Sequence, residues 1–240
     1  MEHSRVLALG FFDGVHIGHG ALLRRTRQAA DRLGAAACAV SFDAHPMQVV
    51  TGRQVPLLST PVERQLLMQR LYGMDELIVT HFDEAVRNQI WQDFLQDYLI
   101  GTLHACHLVC GFDYRFGFRG EGTPEKLAQA CRELGVGCDV IGAVHLHGQE
   151  VSSTRIRALL TQGDAAAAAE LLGHPHLICG RASSGVLAIE SGILVPAEGV
   201  YDADADSRSC RIEIRNGCVL LPESHEDGQI RVWLKNKVAE

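Results

Sequence analysis

An apolar run, Val6-Leu7-Ala8-Leu9, ends in the ten residues Gly10-Phe-Phe-Asp-Gly-Val-His-Ile-Gly-His19. The run reads as a buried strand and Gly18–Leu33 as a helix, so the segment between them is a strand-to-helix turn. Glycines at 10, 14, 18 and 20 let backbone come close to a ligand there. A helix N-terminus attracts phosphate through its free N–H groups and its dipole. His16 and His19, three residues apart at that entrance, can donate to phosphate oxygens whose charge grows in a transition state. A glycine-rich turn alone is a weak signal; His-x-Gly-His after Phe-Asp-Gly is a specific one.

Strand and helix signals alternate through the first two-thirds of the chain. Strand-like runs are 6–9, 35–42, 76–80, 105–110 and 138–144. Helices are expected from Thr60-Pro61 and from Thr123-Pro124, each with Thr as cap and Pro at the first helical position. A third spans 83–100, broken near Asn88-Gln89. Such alternation implies a parallel sheet with helices on both faces and ligands at the carboxyl ends of the strands. After Leu172-Gly-His-Pro175 the pattern changes to short β runs, 185–190, 192–195, 209–215, 218–221 and 229–234. Asn216-Gly217 and Asp227-Gly228 are hairpin signals among them. The expected organisation is an α/β domain over 1–174 and a small antiparallel sheet or barrel over 175–240.

At 240 residues, 47% hydrophobic and 21% charged, the chain has the balance of a globular protein. A net charge of −7 argues against broad nucleic-acid binding, and no apolar stretch has membrane-spanning length. Met1-Glu-His-Ser-Arg5 lacks the form of a secretion signal, which points to the cytoplasm. Eight scattered cysteines then read as buried small hydrophobes. His104-Ala-Cys106-His107-Leu-Val-Cys110 fits no standard zinc spacing and reads as a core strand. Asp202, Asp204 and Asp206 with Glu213 mimic a calcium loop, but Ser207 stands where that loop needs Gly. A solvated acidic hairpin turn is the expectation, and no metal is assigned to protein side chains.

Three further segments join the first. Ser41-Phe-Asp-Ala-His-Pro46 follows the second strand, and Gly111-Phe-Asp-Tyr-Arg-Phe-Gly117 the fourth. Ser152-Ser-Thr-Arg-Ile-Arg157 opens a helix whose hydroxyls can cap it and whose arginines can pair with phosphate. Together the four resemble the bacterial bifunctional riboflavin kinase/FAD synthetase family, in its FMN adenylyltransferase module, from about residue 5 to about residue 175. Ala44, Gly20 and Tyr114 stand where that family more often has Pro, Gln and Phe.

The resemblance implies a Rossmann-like nucleotidyltransferase domain followed by a β-barrel remnant. It implies transfer of the adenylyl group of ATP to FMN, with Mg²⁺, giving FAD and pyrophosphate. His16, His19 and Arg157 would be catalytic. Gly10, Phe11, Phe12, Asp13, Gly14, Ser153, Thr154 and Arg155 would bind ATP. Asp43, His45 and Asp113 would lie near the flavin and the reacting phosphates. The tail resembles a shortened riboflavin kinase module without its Pro-Thr-Ala-Asn run, so no kinase activity is expected. Two other readings remain open at this point: nucleotidyl transfer to a different phosphate-bearing acceptor, and a non-catalytic flavin- or nucleotide-binding protein.

Overall fold

The computed structural model describes residues 4–44, 48, 52, 54–222 and 226–238. They pack into two compact units. One comprises Met1–Phe12, Gly18–Val55 and Gln65–His145; the other comprises Asp13–Ile17, Pro56–Arg64 and Leu146–Glu240.

The first unit is built on a parallel sheet of order β3-β2-β1-β4-β5. Its strands are β1 (Arg5–Leu9), β2 (Ala36–Phe42), β3 (Glu76–Thr80), β4 (Ala105–Gly111) and β5 (Gly137–Ile141). β1 lies at the centre, with Leu7 opposite both Cys38 and Leu108, and both its faces are covered, which is why Val6–Leu9 reads as an unbroken apolar run. On one face Leu7, Leu9, Val40 and Leu108 pack with Phe94, Leu99, Leu127 and Cys131. Each leucine buried this fully contributes about 1.5–3 kcal/mol.

The helices in chain order are α1 (Ile17–Leu33), α2 (Pro61–Tyr72), α3 (Glu84–Asn88), α4 (Trp91–Asp93), α5 (Pro124–Leu134), α6 (Ser153–Gln162) and α7 (Ala165–Leu172). α1 buries the stripe Leu22, Leu23, Thr26, Ala29 and Ala30. The helix expected over 83–100 does break after Asn88, and its second half winds as a π-helix, Phe94–Thr102, which periodicity does not forecast. Thr123 caps α5 by accepting from Lys126 N–H, with Pro124 first in the helix.

A two-residue ribbon, β6 (His145–Leu146) and β7 (Gln149–Glu150), precedes α6. The tail forms a closed barrel of order β10-β11-β12-β9-β8-β13. Its strands are β8 (His176–Ser183), β9 (Val186–Ile189), β10 (Gly199–Ala205), β11 (Arg208–Arg215), β12 (Cys218–Leu220) and β13 (Gly228–Lys237). Two of these, β8 and β10, go beyond the expected runs, while 192–195 makes only an isolated bridge from Ile193 to Leu57. Asp202 and Asp204 belong to β10, pointing outward between the buried Tyr201, Ala203 and Ala205; the acidic hairpin turn itself is Asp206-Ser207. Ion pairs to Arg211 and Lys235 hold the two strand carboxylates.

The second unit takes in Leu146–Glu240 together with Asp13–Ile17 and Pro56–Arg64. Ile156, Leu160, Ala168, Leu171 and Leu172 of α6 and α7 share one core with Leu58 and with Ile178, Tyr201, Val232 and Leu234 of the barrel. A piece as short as residues 175–240 buries little alone; the two helices supply the missing apolar surface.

Candidate active site

In the second unit the Asp13–Ile17 turn is held from several sides. Gly14 and Val15 take positive φ, 77° and 46°. A Cβ at Gly14 would lie 2.8 Å from Leu58 Cδ1, so both backbone shape and space call for glycine there. Asp13, 2% exposed, is the hub. Its Oδ1 accepts from the N–H groups of Leu58 at 2.8 Å and Ser59 at 3.0 Å, and its Oδ2 from Arg157 Nη2 at 2.7 Å. Arg157 Nε donates to the Pro56 carbonyl at 2.8 Å. Gly14 N–H donates to Ser59 Oγ at 2.8 Å, and Ser153 Oγ donates to the Asp13 carbonyl at 2.9 Å. The Gly14 N–H and the Asp13 carbonyl are thus engaged by side chains that fix the shape of the turn.

Helix α6 begins beside this hub. Ser152 caps it by accepting from Arg155 N–H, which leaves Ser153, Thr154 and Arg155 in its first turn. Nη1 of Arg155 is buried with no hydrogen-bond partner among the described residues. His16 is 6% exposed. Burial above all, opposed by a backbone hydrogen bond and aided by the charge on Arg157 and the His174 ring, brings its pKa down to about 4. At neutral pH the ring is therefore uncharged, with one N–H to donate. His174 reaches the same turn through Nε2, 3.2 Å from the Gly14 carbonyl oxygen.

The first unit carries the other half of the candidate residues. Ser41 Oγ donates to the Phe11 carbonyl at 2.7 Å. Phe12 is fully buried and meets the His19 ring edge-on, 5.2 Å between centroids. Gly10 leaves room for it, since a Cβ there would lie 3.1 Å from Phe12 Cζ. Gly10, Asp43, His81 and Phe112 follow β1, β2, β3 and β4, so all four lie at the carboxyl edge of the sheet. Asp43 Oδ1 accepts from Ala44 and Phe82 N–H, and Oδ2 meets His81 Nδ1 at 2.5 Å. Burial raises the Asp43 carboxyl, but the bonds from His81 and Phe82 outweigh it and hold it below the ordinary range; the same bond raises His81. His45 lies outside the described residues.

A cavity of about 620 Å³ opens in this unit, lined by Phe42, Phe82, Phe94, Tyr114, Phe116 and Phe118 with Arg87, Arg115 and Arg119. Tyr114 stacks on Phe116 at 5.3 Å with an 18° tilt, and Phe42 meets Phe82 edge-on at 4.9 Å. Gly117, φ 71°, permits the turn beneath: a Cβ there would lie 2.7 Å from Trp91 N. Burial pushes the Tyr114 hydroxyl up, so it stays protonated and can donate. Flat aromatic walls with a few charged groups suit a planar heteroaromatic ligand. Asp113 is exposed and does not line the cavity; its Oδ1 would lie 3.0 Å from a Cβ on Gly111.

Sequence reasoning brought Asp13, Gly14, His16, Ser153 and Arg157 into one place but missed Ser59, His81 and the aromatic cavity. His174 stood in the Leu-Gly-His-Pro junction, read only as a boundary. Among the described residues no three His, Cys, Asp or Glu side chains could hold a metal ion. Both Asp13 oxygens are occupied, and in the 104–110 run His107 Nε2 faces Asp139 Oδ2 at 2.7 Å while Cys106 Sγ donates to the Arg5 carbonyl. No helix among the described residues is long and apolar enough to cross a membrane.

The family model for FAD synthetase matches residues 1–155. Over 212 residues the chain is 32% identical to a bifunctional riboflavin kinase/FMN adenylyltransferase of Listeria monocytogenes, covering 82% of this chain and 67% of that protein. It is 28% identical over 241 residues to a FAD synthetase of the same organism, covering 100% of this chain and 95% of that one. A Streptococcus pneumoniae crystal structure, described as a macrolide-efflux protein, superposes with a TM-score of 0.83 at 22% identity, covering 100% of this chain and 88% of that chain. At that identity the likeness speaks for fold alone.

Proposed function

The chain belongs to the FAD synthetase family, and on that premise we propose how its residues divide the work of adenylating FMN. The activity is FMN adenylyltransferase. A phosphate oxygen of FMN attacks the α-phosphorus of ATP, the bond from that phosphorus to the bridging oxygen breaks, and pyrophosphate leaves. Such a transfer needs placement and charge neutralisation rather than a covalent nucleophile.

The Asp13–Ile17 turn and the first turn of α6 take the triphosphate. His16, buried and neutral, turns its N–H from its backbone hydrogen bond to an α-phosphate oxygen as charge builds there. Ser153, Thr154 and Arg155 meet the phosphates at the helix N-terminus. Arg157 holds Asp13 and places its positive charge beside His16. The family resemblance gives Gly10, Phe11 and Phe12 to the nucleoside and His19, in the first turn of α1, a catalytic role. Mg²⁺, bound with ATP, would neutralise charge on the phosphates, a task that suits an ion that prefers phosphate and water ligands.

In the first unit the aromatic cavity takes the isoalloxazine ring, with Tyr114 and Phe116 as its stacking wall and the three arginines available to the phosphate. Asp43 and His81 stand near it through Phe42 and Phe82. The barrel carries no kinase activity in this reading: Ile178, Tyr201, Ile212, Val232 and Leu234 fill its interior with side chains. The enzyme works in the cytoplasm on small molecules, not on nucleic acid.

The observation that carries the assignment is the Asp13–Ile17 turn fixed by Asp13, Ser59, Ser153 and Arg157 beside a buried His16. Purified protein given Mg·ATP and FMN should form FAD and pyrophosphate, and given riboflavin and Mg·ATP should form no FMN. FAD formation undiminished in His16→Ala would overturn the assignment of that residue.

A further inference from the structure

His174 follows Gly173, the left-handed residue that ends α7, and turns back onto the glycine turn. Its Nδ1 lies 2.8 Å from the Pro175 carbonyl oxygen and its Nε2 3.2 Å from that of Gly14. The close approach depends on Gly173: a Cβ there would lie 2.6 Å from Ile17 Cγ2. The ring is 8% exposed and meets Trp233 of β13 edge-on at 6.2 Å. Two carbonyl oxygens therefore face two ring nitrogens away from water.

A neutral imidazole has one N–H, so it can satisfy only one of these acceptors; an imidazolium satisfies both. In the free protein burial opposes the second proton and lowers the pKa below 6.5, although the carbonyls of Pro175, Gly14 and Val15 pull the other way. The ionisable groups that interact with the ring are His16 of the turn and His176 of β8. Arg157 opposes a proton on His16, whereas the opposition at His174 is burial. A polyphosphate at the turn, still anionic as its Mg²⁺ complex, tips that balance toward the cation.

We propose that His174 is a positioning residue that binds a proton together with the nucleoside triphosphate, its second N–H then securing the Gly14 carbonyl. A hydrogen bond from the charged ring is about twice as strong as a neutral one, so the turn stiffens only when its ligand is present. This rests on the reading of the Asp13–Ile17 turn as the triphosphate site. The proton comes from solvent and returns to it when the nucleotide leaves.

Titration calorimetry of the full chain with Mg·ATP, without FMN, in buffers of differing ionisation enthalpy at about pH 7 reads the proton directly. Wild type should take up a proton on binding. His16→Gln should keep that uptake, and His174→Gln should lose it while its KM for ATP rises about tenfold. The wild-type KM should climb with pH as the proton is lost, and the His174→Gln value should not. Should the variant fail to fold, the wild-type imidazole ¹⁵N signals of His174 give the same answer, moving from a neutral tautomer to the imidazolium when Mg·ATP is added. Binding with no proton uptake, equal uptake in His174→Gln, or unmoved ¹⁵N signals overturn the proposal alone. Failure of wild type to bind Mg·ATP would remove the reading of the turn and the proposal with it.

Discussion

The carboxylate of Asp13 and the guanidinium of Arg157 meet at 2.7 Å across 144 residues of sequence, with side chains 2% and 14% exposed. Two N–H groups from 58–59 share the same carboxylate. Removing one partner of such a pair leaves a buried charge uncompensated, so Arg157→Ala should cost about 3–5 kcal/mol of stability. Urea unfolding measures it; a loss below about 1 kcal/mol would mean that water already screens the pair.

His16 has a different kind of importance. Its ring is buried at the turn, so His16→Ala leaves a cavity and lowers stability, while in the folded variant FAD formation should fall by about 10²–10³-fold, mainly in kcat. Turnover assays beside circular dichroism separate the two effects. A fall confined to KM would indicate that the ring binds substrate without favouring the transition state.

Acid should unfold the protein earlier than its carboxylates alone would require. His16, with a pKa of about 4, and His176, about 3, are both depressed mainly by burial. The unfolded chain protonates near 6.5, so as pH falls it binds protons that the folded chain refuses. Stability is complete above about pH 6.5 and declines toward pH 4, by about 3 kcal/mol from His16 alone. Urea midpoints at about pH 7 and about pH 5 should differ clearly; equal midpoints would refute the linkage.

The flavin assignment is tested by splitting the two substrates. Tyr114→Ala removes a ring that stacks on Phe116 at 5.3 Å. The KM for FMN should rise about tenfold or more with little change for ATP. An equal rise for both substrates would place the flavin elsewhere.

Gly14→Ala asks an L-residue to adopt φ 77° and brings its Cβ to 2.8 Å from Leu58 Cδ1. The left-handed backbone alone costs about 1–2 kcal/mol, and relief of the contact would disturb the Leu58 and Ser59 N–H groups on Asp13. Calorimetric affinity for Mg·ATP should drop; unchanged affinity would show that the turn does not hold nucleotide.

Much of the fold is legible in residue order because the signals are local. Val6–Leu9 is apolar on both faces and becomes the central strand, while Thr123-Pro124 carries its own cap and first-turn geometry. Local signals also mislead. Asp202 and Asp204 read as a turn, yet each sits on the outer face of β10 while Tyr201, Ala203 and Ala205 fill the barrel. The π-helix after Trp91 leaves no periodic trace that distinguishes it from an α-helix.

The order of residues by itself determined the parallel sheet, the glycine turn at the entrance to α1 and the family, since each depends on spacing within a few positions. Only the tertiary structure decided what the charged side chains do there. It committed Arg157 to Asp13, turned His174 onto the Gly14 carbonyl and drew α6 and α7 into the core of the barrel. Those outcomes depend on desolvation and on contacts between residues distant in sequence, 144 positions for Asp13 and Arg157 and 160 for Gly14 and His174, quantities that exist only once the chain has closed on itself.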